Sequence, residues 1–191
     1  MSNAALAIDT PESVYAGLMA ARRGDPIEDT LARILASWSC GMANMPDWLG
    51  MAWQDFYAMM AFHFPGHPVH EIATFDRPLD ERRIDEMEDL RKLLLKNRTG
   101  RSTSELWMTD ILIAGCMADD HLWQDLGLWE RADLSRLMLE NFEPLALRND
   151  RDMKWKKFLY KQLCETEGIY TCRAPSCEVC ADYQNCFAPE E

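Results

Sequence analysis

Four cysteines fall within fifteen residues near the C-terminus, in a setting where a hydrophobic core has no use for them. Cys172, Cys177, Cys180 and Cys186 read Cys-x4-Cys-x2-Cys-x5-Cys through a polar stretch that holds Pro175 and is followed by Pro189. Such a stretch lacks the apolar period with which a helix or strand buries itself. Thiolates favour iron–sulfur clusters, zinc and copper(I). A loop this short can wrap one cluster, with backbone N–H groups turned towards the sulfides. Zinc sites usually separate two short ligand pairs by a longer spacer, whereas here a single Cys-x2-Cys has one cysteine on each side. An iron–sulfur cluster is therefore preferred to a structural zinc ion. Cys164 lies eight positions before Cys172. It is either a fifth ligand or metal-exchanging thiol, or a small apolar filler at a helix end.

Upstream of Gly168 the chain reads as helices. Thr10-Pro11-Glu12 is a helix start, and the segment is expected to run to Arg23. A second helix is expected from about Asp29 to Ala43, on Leu31, Ile34, Leu35 and Trp38, and a third capped by Asp47 and carrying Trp48, Leu49, Ala52 and Phe56. His63 to His70, with Pro65, Gly66 and Pro68, reads as a loop. Leu79 to Lys96 is a charged surface helix with one apolar stripe. Ser102 to Ala118 opens with a Ser102-x-x-Glu105 capping box and is apolar nearly all round, which makes it the candidate central helix. Further helices are expected over Arg131 to Asn141 and Asp152 to Glu165. No alternating strand pattern or internal repeat is present. The fold class is thus all-α: a bundle of about six or seven helices over residues 11–168, a flexible N-terminus over 1–10, and a cysteine-rich tail over 169–191 packed on the bundle.

Composition excludes several functions. Hydrophobic residues make up 48% and charged residues 27%, ordinary for a globular protein, but the net charge is −12. A protein that grips nucleic acid shows a basic face, so nucleic acid is not the expected partner. No run approaches the roughly 18 apolar residues of a membrane span, and the N-terminus lacks a signal-peptide pattern. The cytoplasm is the expected compartment, where seven cysteines are reduced thiols or metal ligands.

Other residues could take part. Cys116 and His121, with Asp119 and Asp120 between them, have a spacing compatible with a mixed N/S/O metal site, although a cysteine in ILIAGCMA also suits a core. His63, His67 and His70 could gather three imidazoles in a loop, or simply face solvent. Arg148, Arg151, Lys154, Lys156, Lys157 and Lys161 crowd the approach to the cysteines, a local cationic excess able to guide an oxyanion or to form a solvated helix face.

The sequences CMADDHLWQDLGL (Cys116 to Leu128), RADLS (Arg131 to Ser135) and RNDRDMKWKKF (Arg148 to Phe158), together with the four-cysteine spacing, resemble the NifQ family. That is the molybdenum-handling family of nitrogenase iron–molybdenum cofactor synthesis. The match is strong from Ala114 onward, weaker over Trp48 to Pro65 and not visible before that. The resemblance implies a protein that carries a [4Fe-4S] or molybdenum-containing iron–sulfur cluster. It implies that molybdate or cluster-donating proteins supply the protein and that molybdenum passes to the cofactor-assembly scaffold.

Three classes follow. The first is a metallocluster carrier, not an enzyme, since no phosphate loop, nucleophile triad or paired carboxylates stand out. The second is an iron–sulfur DNA repair glycosylase, which is also helical and ends in a four-cysteine loop. The first spacer here is four residues instead of six and the chain is acidic, both of which disfavour it. The third is a zinc-stabilised interaction module.

Overall fold

The computed structural model describes residues 10–68, 76–79 and 83–167. Every regular element among them is helical. In chain order these are α1 (Pro11–Ala20), α2 (Glu28–Ser39), α3 (Trp53–His63), α4 (Ile84–Lys96), α5 (Ser104–Cys116), α6 (Leu122–Asp125), α7 (Arg131–Asn141), α8 (Glu143–Ala146) and α9 (Trp155–Glu167). The all-α bundle read from the sequence is therefore correct, with two single-turn helices, α6 and α8, added to the expected set. No helix among the described residues is long and apolar enough to cross a membrane.

α5 is the central helix, as its all-round apolarity requires. Met108, Ile111, Leu112, Ile113, Ala114 and Cys116 are all buried, and α3, α4 and α6 pack around it. Gly115 lets α6 approach, because a Cβ there would lie 2.9 Å from Leu126 Cδ2. The start of α5 differs from the expected capping box. Thr103 is the N-cap, and Ser102 Oγ instead accepts the Ser104 N–H at 3.1 Å. The buried Glu105 carboxylate reaches back over the preceding turn, accepting N–H groups of Gly100 (2.9 Å), Arg101 (3.0 Å) and Ser102 (3.4 Å).

Other boundaries also move for local reasons. α1 stops at Ala20, short of Arg23, and the N–H groups of Arg23, Gly24 and Asp25 turn onto Glu28. α2 ends at Ser39, before Ala43, as the chain turns through Gly41 at φ 73°. Asp47 does not cap α3. Instead Trp48 (φ 56°), Leu49 (φ 53°) and Gly50 (φ 80°) form a left-handed turn, and the helix begins at Trp53. Non-glycine residues take this conformation at a cost of roughly 1–3 kcal/mol each. Here packing enforces it. Leu49 is fully buried, the Trp48 ring lies 5.4 Å from that of Phe56, and a Cβ at Gly50 would meet Ala114 Cβ at 2.6 Å.

His63 also departs from expectation. It is the last residue of α3, not a loop residue, and is 1% exposed. Its Nδ1 lies 3.3 Å from Glu28 Oε1, and Glu28 further accepts the three N–H groups just named, from Arg23 (3.2 Å), Gly24 (2.7 Å) and Asp25 (3.0 Å). Burial holds the imidazole below its ordinary pKa of 6.5, against the opposing pull of Glu28. The sign follows. The unfolded chain binds this proton more readily, so stability is lost as pH falls below about 6.5. His121 shifts in the same direction and adds to the effect. The urea midpoint is expected to fall between pH 7.5 and 5.5, and His63→Asn is expected to flatten part of that slope. An unchanged slope in the variant would remove His63 as a source.

Candidate functional site

The four cysteines Cys172, Cys177, Cys180 and Cys186 lie outside the described residues, as does His70. The helix that leads to them is described, and its anchoring is specific. α9 buries Trp155, Phe158, Leu159, Tyr160 and Leu163. The indole N–H of Trp155 donates to Ser135 Oγ at 3.2 Å, tying α9 to α7.

Three side chains then close the C-terminal end of α5, where backbone carbonyls have no helical partner. Lys156 Nζ donates to Ala118 O at 2.7 Å and pairs with Asp125. Arg83 Nη1 donates to Met117 O at 2.9 Å. Tyr160 Oη lies 3.5 Å from Cys116 O, donates to Glu86 and accepts from Arg83 Nη2 at 3.0 Å. Asp125, fully buried, also accepts from Asn44 Nδ2 at 3.2 Å and from the Asp120 N–H at 3.3 Å. Burial pulls its carboxyl pKa upward, and the Lys156 ammonium opposes that shift most strongly. The result is a buried polar hub joining α9 to α5, α6 and the start of α4.

Lys156 therefore leaves the cationic face to which the sequence assigned it. It is 9% exposed and committed to Asp125. The surrounding cations are diverse. Lys161 Nζ pairs with Glu165 at 3.6 Å, and Arg148 Nη2 donates to Asn97 Oδ1 at 3.1 Å. Lys154 and Lys157 are half-buried, and Arg151 is exposed. The face thus combines paired charges with the exposed Arg151.

The structure does not bring Cys116 and His121 together as ligands. Cys116 is fully buried, and burial pushes its thiol up to about 12, so it remains protonated. His121 sits at the surface as the N-cap of α6. Partial desolvation, then the ammoniums of Lys154 and Lys156, hold its pKa below the usual value. Asp119 and Asp120 face an open cleft of about 400 Å³ that Asn44, Arg77 and Met117 also line. His67 lies beside Gly17 of α1. Cys164 is half-buried on α9. Among the described residues, no three His, Cys, Asp or Glu side chains gather closely enough to hold a metal ion.

Arg83, Glu86, Asp125 and Tyr160 carry the hub, and none stood out in the sequence. The one available signal was the four-residue spacing of Lys156 and Tyr160, which places the lysine on the same side of α9 as a core aromatic.

The NifQ family model matches residues 30–188, a span that takes in all four C-terminal cysteines. Protein NifQ of Azotobacter vinelandii is 42% identical over 91% of this chain and 99% of its own length. Protein NifQ of Rhodobacter capsulatus is 35% identical over 84% of this chain and 87% of its own. The NifQ homolog of Sinorhizobium fredii is 32% identical over 84% of this chain and 70% of its own. The similarity reaches well before Trp48, further towards the N-terminus than the motifs alone indicated. No solved structure matches the chain.

Proposed function

The chain belongs to the NifQ family, whose work lies in nitrogenase molybdenum handling, and from that premise we propose that it is a metallocluster carrier. Its cargo is an iron–sulfur cluster, in one loaded form containing molybdenum, and the holders are Cys172, Cys177, Cys180 and Cys186. The protein acts in the cytoplasm by holding and handing over, not by turnover, and the recipient is the scaffold on which the nitrogenase cofactor is completed. Molybdate, or a cluster-donating protein, supplies the metal.

The donor set carries this reading. Four soft thiolates at short spacing suit iron and sulfide cargo. They follow directly on a helix that the Lys156–Asp125 and Tyr160–Glu86 contacts hold against the bundle. Sites that adjoin rigid elements hold their geometry best, and in sequence the four cysteines adjoin such an element.

The deciding experiment is iron, molybdenum and sulfide analysis of protein purified without oxygen, with electron paramagnetic resonance of the same sample. A brown protein containing iron and sulfide supports a cluster carrier, and molybdenum in the same species supports the full reading. A colourless protein containing zinc overturns it.

The mixed cationic face yields a second test. Replacing Lys154, Lys157 and Lys161 together with Gln is expected to slow molybdenum loading from molybdate, mainly at low salt. Charges near the surface act over a Debye length of about 10 Å at 0.1 M ionic strength. Iron content is expected to stay near wild type, since the cysteines are untouched. Unchanged loading at low salt makes these lysines a solvated face, and a parallel fall in iron removes any specific anion role.

A further inference from the structure

α3 is apolar on two sides, and the bundle covers one of them. Phe56, Met59, Met60 and His63 are buried. On the other side Trp53 is 56% exposed, Tyr57 and Phe62 are 37% exposed, and Ala58 and Ala61 are exposed as well. At 3.6 residues per turn Gln54, Ala58 and Ala61 form the crest of this outer side, with Gln54 exposed in the first turn. Trp53 and Tyr57 lie along one flank, their rings 5.9 Å apart, and Trp48 extends it at 5.9 Å from Tyr57. Phe62 and Asp55 lie along the other, and Trp107 of α5 extends it at 5.7 Å from Phe62. Leu106, next to Trp107 in the chain, is 44% exposed. An aromatic face of this kind marks an interaction site.

We propose that this face is the contact surface for a second copy of the chain, with the two α3 helices packed antiparallel about a two-fold axis. Beyond Gln54 in the first turn the crest is alanine, so two helices that cross at Ala58 and Ala61 can approach to the 8–10 Å of ordinary packed pairs. The aromatic flanks then close on either side. Charge selects the partner and its direction. Asp55 is exposed in the first turn of α3. At the other end the Arg23 guanidinium lies over the Phe62 ring at 5.0 Å, next to exposed Arg22. An antiparallel two-fold sets Asp55 of each copy beside Arg23 of the other, and symmetry makes that contact twice. A uniformly charged partner would be opposed at one end, and a parallel copy would set like charges together. One helix face and Leu106 make a small interface, which points to a reversible, micromolar dimer.

Sedimentation velocity of the full-length chain over a concentration series tests this. Wild type is expected to shift from monomer to dimer as concentration rises. Ala58→Arg, on an exposed helical position with good helix propensity, is expected to leave only monomer with unchanged circular dichroism. Asp55→Arg and Arg23→Glu are each expected to weaken the dimer about tenfold, because every reversal is counted twice across the two-fold. The double variant, with the pair exchanged, is expected to recover most of the loss. A wild type that stays monomeric at every concentration overturns the proposal, as does an Ala58→Arg variant that still dimerises. A monomer whose Trp53 is protected from hydroxyl-radical labelling assigns the face to the chain's own remaining residues and overturns it too. Failure of the double variant to recover rules out the antiparallel register. Iron and molybdenum content bear on the carrier reading alone and are independent of these outcomes.

Discussion

Replacing Cys177 or Cys180 with Ala is expected to remove most of the iron from anaerobically prepared protein while leaving its helical circular dichroism largely intact. Among the described residues, Trp38, Phe56, Leu112, Leu137 and Phe158 belong to one continuous apolar cluster. α5 and α9 bury their faces within that cluster, so the helices hold together without the cysteine segment. A cluster held by four thiolates loses a quarter of its donors in either variant, and the rest form an incomplete cage. The loss is measured as iron and sulfide per chain together with the visible absorbance of the cluster. Complete unfolding of either variant would place the cysteine segment inside the core and refute the separation of bundle from tail. Normal iron content would refute the ligand assignment.

Periodicity made the helical bundle legible because apolar spacing is a local signal. α7 has the boundaries expected for it, and α5 is central because a thirteen-residue segment apolar nearly all round buries most of its faces only there. Missed features depend on contacts between distant segments. The left-handed run at Trp48 and Leu49 exists because Leu49 is buried and Gly50 lies against Ala114. α6 and α8 are single turns, too short for a period to show.

The candidate site divides along the same line. Cysteine spacing is local, so the donor set could be named from sequence. Lys156 and His63 were misjudged because their partners, Asp125 and Glu28, lie 31 and 35 positions away. A lysine among lysines reads as solvated until the partner that buries it is known. Cys116 shows the reverse. Its apolar neighbours favoured a core thiol over a ligand, and burial makes that thiol harder to ionise.

Lys156→Met is expected to destabilise the chain by about 3–5 kcal/mol, the range for removing one partner of a buried ion pair. The cost comes from what remains. Asp125 is fully buried, and without the ammonium its charge keeps, among the described residues, Asn44 and the Asp120 N–H. Ala118 O loses its donor in the same step. Met preserves the aliphatic stem and the helix propensity, so the loss is not attributable to packing or backbone preference. Set against a total stability of about 5–15 kcal/mol, the variant should show a much lower urea midpoint with an unchanged slope. Lys161→Gln is the matched control. Its pair with Glu165 is about half exposed on both sides, and such pairs contribute roughly 0–1 kcal/mol. Adding Asp125→Asn to Lys156→Met should recover part of the loss, because the stranded charge is gone, and that non-additivity separates an ion-pair effect from a general defect in α9. A Lys156→Met cost no larger than that of Lys161→Gln would mean that water reaches Asp125, and the hub would then contribute nothing special to holding the helix that leads to the cysteines.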